Sequence, residues 1–147
     1  MVSVFDVVQY ILTQQEAMTA MKLQKLCYYA QAWSLVWDEA PLFPEEIQAW
    51  VNGPVIPDLY AAHKGLYTVT KESFSQGDAK TLSAAQKETV DSVVEHYGVL
   101  NPHQLSALTH RESPWIEARK GLWSNERGSR IISHADLAEY YESKHDV

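Results

Sequence analysis

The sequence predicts a mainly α (α+β) fold: a compact bundle of six or seven helices around a central buried helix, with a minimal two- or three-stranded β element. Three observations predict it. Set at about 100° per residue, the run Met21 to Asp38, MKLQKLCYYAQAWSLVWD, is apolar nearly all round, so it is expected to be covered nearly all round. Short apolar stretches elsewhere open on a polar cap followed by Pro or Gln, the grammar of helix starts. Ile47, Ala49 and Val51 alternate with Glu46, Gln48 and Trp50 ahead of Asn52-Gly53-Pro54, the period of a strand followed by a turn.

The chain has 147 residues, of which 46% are hydrophobic and five are tryptophan. That length suits one domain, residues 1–147, burying roughly 70% of its unfolded surface, and the composition argues against disorder. A lone cysteine, Cys27, builds neither a disulfide framework nor a zinc cluster. The start, MVSVFDVVQYIL, lacks a basic n-region and a small-residue cleavage site, so it is not read as a signal peptide. At about 27 Å by the rise per residue, the central helix is too short and too polar to span a membrane. The expected setting is the cytoplasm. A net charge of −7 with scattered Lys and Arg argues against binding a nucleic-acid backbone. It suits either a basic protein partner or simple solubility.

Ser3 and Asp6 form a capping box, and Val4, Val7, Val8, Ile11 and Leu12 mark one helical face. Thr13 to Ala17 is a polar break. Thr19 caps the central helix, on which Gln24, Gln31 and Asp38 form the single wholly polar stripe. Lys22 and Lys25 lie in its first two turns, where the helix dipole disfavours positive charge. Either they tolerate this as exposed lysines or Glu45, Glu46 or Asp58 compensates them. Pro41 and Pro44 end the helical region, and Pro57 fits the first position of the next helix, closed by Gly65. Leu66 to Thr81 has no helical period and reads as a variable or mobile loop, with a possible strand at Tyr67–Thr70. Ser83 with Gln86, Asn101-Pro102 with Gln104, Ser113-Pro114 and Ser133 with Asp136 open four further helices. Trp123 to Arg130 reads as an exposed loop, and Ile131-Ile132 as a short strand beside Ile47–Val51.

Catalytic chemistry leaves no mark. His96, His103 and His110 are seven apart, but Gly98 and Asn101-Pro102 interrupt the helix that would align them. No HExxH, GxSxG or phosphate-cradling glycine loop occurs, and mid-helix Cys27 reads as a packed thiol. No metal, cofactor or catalytic residue is therefore expected. Trp33 and Trp37 fall on the apolar arc and are expected in the core. Trp50 faces away from Ala49 and Val51, so it either covers the central helix or stands as an exposed partner anchor. The same alternatives hold for Trp123, with the core the expectation for both.

The runs KLQKLCYYAQAWSL (Lys22 to Leu35) and PLFPEEIQAWVNGPVIPDLY (Pro41 to Tyr60) together resemble the Panacea domain family. The run His110-Arg111-Glu112-Ser113-Pro114-Trp115 and the closing Ile131–Tyr141 stretch are similar to later elements of that family. The resemblance spans Val4 to Tyr141. Cys27 stands where an aliphatic residue is usual, and Asn52 where an aromatic or basic one is common. With no second domain attached, it resembles a stand-alone member. The resemblance implies an antitoxin of a two-gene toxin–antitoxin pair, often in prophages, neutralising its cognate toxin by direct protein–protein contact. One alternative is an adaptor that delivers a toxin to a AAA+ protease; another, of a different class, is a cryptic enzyme using Asp38, Glu39 or a histidine. The implied partner surface takes in Lys22, Gln24, Lys25, Trp50, Asn52, Gly53, Pro54 and Tyr60, the motif positions with polar or amphipathic tips and the turn between them.

Overall fold

The computed structural model describes residues 1–144. The Ser3 hydroxyl accepts the Asp6 amide at 3.3 Å, and Asp6 Oδ2 accepts the Ser3 amide at 2.9 Å. This reciprocal cap starts α1 (Val4–Gln14), whose Val4, Val7, Val8, Ile11 and Leu12 are buried as their spacing predicts. The polar break is followed by a two-residue strand that its sequence does not announce, β1 (Met18–Thr19). The Thr19 hydroxyl then caps α2 (Ala20–Trp37), accepting the Lys22 amide at 3.1 Å.

Helix α2 is the axis of the fold. Leu23, Leu26, Cys27, Tyr29, Ala30, Ala32 and Trp33 are fully buried. Two of the three residues of the polar stripe, Gln24 and Gln31, are covered too, because they bind the main chain of later segments. Gln31 Oε1 accepts the Leu42 amide at 2.6 Å, and its Nε2 donates to Phe43 O at 2.7 Å. Gln24 Oε1 accepts the Ile56 amide at 2.9 Å, and its Nε2 donates to Ile56 O at 3.3 Å. Asp38 Oδ2, beyond the last turn, accepts the Thr89 hydroxyl at 2.7 Å. A buried amide flanked by a backbone donor and acceptor is satisfied, so the stripe stabilises without solvent. The helix emerges at its end: Trp37 is 36% exposed and stacks on buried Trp33, a correction to its expected place in the core.

After α2 come β2 (Gln48–Trp50) and β3 (Gly53–Val55), an antiparallel hairpin with Trp50 opposite Gly53, so the turn is Val51–Asn52. Ile131 adds the expected third contact as a bridge to Gln48, and the Ile132 amide donates to Ile47 O at 2.8 Å. The next elements are α3 (Pro57–His63), β4 (Thr68–Val69), α4 (Ala84–Tyr97), α5 (Pro102–His110), α6 (Ser113–Ala118) and α7 (His134–Glu142). The described residues thus form seven helices and two small antiparallel sheets, β2–β3 and β1–β4. Helices α4 and α5 begin at reciprocal caps on Ser83 and Asn101. Helix α6 differs from expectation at its start: the cap position is Glu112, which makes no side-chain cap because its carboxylate turns inward.

Leu66 to Thr81 carries more structure than its sequence shows. It contains β4 and two 3₁₀ turns, Lys71–Ser73 and Ala79–Thr81, and buries Val69 and Phe74. Gln9 Nε2 donates to the carbonyls of Lys71, Phe74 and Gln76, and Asp6 Oδ1 accepts the Asp78 amide at 2.7 Å. Gly77 lies at φ +97° against the Phe5 carbonyl, leaving no room for a Cβ. The segment is fastened to the start of α1 through its backbone.

Candidate functional site

The hairpin is presented by α2 from beneath and by α5 and α6 from the side. Trp50 and Tyr60, both half-buried, meet edge to face with ring centroids 5.1 Å apart. The Trp50 indole N–H donates to Gln48 Oε1 at 2.9 Å, and its carbonyl accepts the Trp115 indole N–H at 2.8 Å. Trp50 is thus neither sealed in the core nor fully exposed. Asn52 is exposed at the turn, with its carbonyl accepting the Ser106 hydroxyl at 3.0 Å. Trp123, expected in the core, is 79% exposed; its loop lies over the protein without burying the ring.

Four of the proposed contact residues lie inside. Gly53 and Pro54 are buried, and Gln24 holds Ile56 as described. Its Nε2 also lies 3.0 Å from His63 Nε2. An amide nitrogen only donates, so this imidazole nitrogen accepts and His63 is neutral, consistent with burial lowering its pKa. Lys25 is 1% exposed and its Nζ donates to Pro54 O at 3.4 Å. Burial lowers its pKa to about 8. A base depressed in this way gives stability that is full above its unfolded pKa and lost as pH falls through about 8. Lys22 points away from the hairpin, its Nζ donating to Gly98 O at 2.6 Å at the end of α4. Both lysines are therefore answered by carbonyls. Glu45 instead accepts the Val4 amide at 2.9 Å and Glu46 accepts from Gln48, so neither takes the compensating place considered for it.

Gly53 links the surface to this interior. It sits at φ +122°, and a Cβ there would lie 2.9 Å from Lys25 Cε and 3.2 Å from Thr109 Oγ1. Gly53→Ala is expected to lose about 1–3 kcal/mol from backbone strain alone. Equilibrium denaturation checks this; a wild-type midpoint would show that the hairpin relaxes freely.

Two supports went unread in the sequence. Arg119, buried at the end of α6, donates from Nη1 to Ala49 O at 3.0 Å, and Trp115 holds the next carbonyl of the same strand. Glu112 is 5% exposed, and its Oε1 accepts Tyr29 Oη at 2.7 Å and Tyr141 Oη at 2.8 Å. Burial raises its pKa, against the lowering effect of those hydroxyls. The run His110 to Trp115 pointed to this region but not to these roles. His110 stacks on Trp115 at 4.1 Å, and its Nε2 is buried without a hydrogen-bond partner. Among the described residues no group of three or more His, Cys, Asp or Glu is placed to hold a metal ion. No helix among them is long and apolar enough to cross a membrane.

No curated protein and no solved structure matches the chain. A family model described as antitoxin SocA-like, Panacea domain, matches residues 23–116, more than half of the sequence. That range is narrower than Val4 to Tyr141, but it holds most of the central helix, the whole hairpin, Tyr60 and the Glu112–Trp115 support. The chain belongs to the family described as antitoxin SocA-like, Panacea domain.

Proposed function

We propose that the chain neutralises its cognate toxin by binding it directly in the cytoplasm, as a binder and not as an enzyme, through the hairpin face. The contact centres on Trp50 and Tyr60, with Asn52 at its tip. The observation that carries this reading is the half-buried Trp50–Tyr60 pair, in which Trp50 lies on a strand whose carbonyls are held by Trp115 and Arg119. Aromatic anchors dominate protein contacts, and a braced strand has little ordering left to lose on binding. Gln24, Lys25, Gly53 and Pro54 then support the contact from within, and Lys22 borders the fold elsewhere.

The test uses the product of the neighbouring gene as toxin and reads two quantities for Trp50→Ala: the thermal midpoint and the affinity of the folded protein. Affinity is expected to fall about thirtyfold, with a modest loss of midpoint. Lost stability with unchanged affinity would reject the hairpin contact. A toxin half-life that depends on both this chain and a AAA+ protease would instead make the chain an adaptor.

A further inference from the structure

Trp123 is unusual for an exposed tryptophan because its loop is firmly held. Arg119 Nη2 donates to the carbonyls of both Trp123 and Glu126. The Trp123 amide donates to Glu126 Oε1 at 3.1 Å, and the Glu126 amide donates back to Trp123 O at 3.0 Å. Arg130 Nη1 closes the far end by donating to Lys120 O at 2.6 Å. A large apolar ring is thus kept in water on a closed turn, where ordering precedes any contact.

Its surroundings are cationic. Lys120, Arg127 and Arg130 are exposed on this stretch and outnumber its exposed acids, Glu117 and Glu126, the latter accepting the Trp123 amide. In a chain of net charge −7 this is a local reversal of sign. The loop also continues the hairpin surface. Arg119 binds Ala49 and Trp123 together, and Ile131, 59% exposed, sits opposite Gln48. Residues 117–131 lie outside the range matched by the family model.

We propose that the Trp123 loop is a second docking element, which takes an acidic segment of the protein partner and seats an apolar side chain of that segment against the indole. Charge complementarity to Lys120, Arg127 and Arg130 selects the segment, and continuity with the hairpin places it on the same partner. This rests on the reading that the chain acts by binding a protein.

The probe is a short synthetic peptide of Asp and Glu with a single Phe, titrated into the isotopically labelled full chain. The Trp123 indole N–H signal, identified by its loss in Trp123→Phe, and the amides of 120–130 are expected to shift. The shift should weaken as salt rises. It should vanish with a lysine version of the peptide and in Arg127→Glu/Arg130→Glu. No shift, an equal shift with the lysine peptide, or a stronger response to a thymidine oligonucleotide would overturn the proposal, the last in favour of nucleic acid. With the cognate toxin, Trp123→Ala should reduce affinity by about tenfold or more while leaving the thermal midpoint unchanged. A toxin weakened by Trp50→Ala but not by Trp123→Ala overturns this inference alone; the reverse overturns the hairpin contact alone.

Discussion

Glu112→Ala is expected to destabilise the chain by about 3 kcal/mol or more, because it strips the acceptor from two buried hydroxyls. Tyr29 comes from α2 and Tyr141 from α7; Tyr29 also stacks on Tyr97 of α4 at 3.8 Å, and Tyr141 meets Tyr28 at 3.1 Å between hydroxyls. One carboxylate oxygen therefore ties α2 and α7 to the α5–α6 junction, and the Tyr29–Tyr97 stack adds α4. Denaturant midpoints measure the loss, and a near-wild-type value would show that the tyrosines re-pair among themselves. Glu112→Gln keeps an acceptor and should be much milder. Its pH dependence has a definite sign. Burial raises the folded pKa of Glu112 above the unfolded value, so its contribution is full below the unfolded pKa and is lost as pH rises through the folded one. The stability of Glu112→Gln relative to wild type should therefore improve from acid to neutral pH; a flat difference would mean that the folded carboxyl titrates as in the unfolded chain.

The second large effect falls on the axis of the fold. Leu26 is fully buried at the centre of α2, and Leu26→Ala should lose about 2–5 kcal/mol, the lost transfer energy plus a cavity. Helix propensity does not offset this, since Ala and Leu differ little there. An unchanged unfolding midpoint would mean that α2 is not the element around which the others pack.

Both predictions concern residues that differ in how plainly the sequence announces them. Leu26 is legible because an all-round apolar helix admits few environments. The caps at Ser3, Thr19, Ser83, Asn101 and Ser133 are legible because donor and acceptor lie three residues apart. Gly53 is legible because Asn52-Gly53-Pro54 signals a turn, although the turn itself falls at Val51–Asn52 and Gly53 opens β3 at positive φ. Glu112 is hidden, since beside Ser113-Pro114 it looks like any polar residue before a helix, and its burial depends on tyrosines from distant helices. Strand β4 falls within the strand suggested at Tyr67–Thr70, but its partner β1 is hidden for a related reason: two residues have no period, and Met18 meets Val69 across fifty-one positions. Lys25 and Trp123 were placed by type, yet one is sealed under the hairpin and the other stands in water. Within the hairpin, the sequence shows the strand and the turn but not the two side chains, Trp115 and Arg119, that hold its carbonyls.

The glutamine stripe on α2 bears on how such a scaffold could change partners. Gln31 and Gln24 recognise only main-chain groups, at Leu42, Phe43 and Ile56. Those clamps bracket the segment that carries Trp50 and Asn52, and they are indifferent to which side chains it bears. Arg119 and Trp115 treat Ala49 and Trp50 in the same way, by their carbonyls. Surface positions between the clamps can therefore be exchanged during evolution without releasing the segment from the helix. On the proposed hairpin contact, recognition of a target is separable from the retention of the fold.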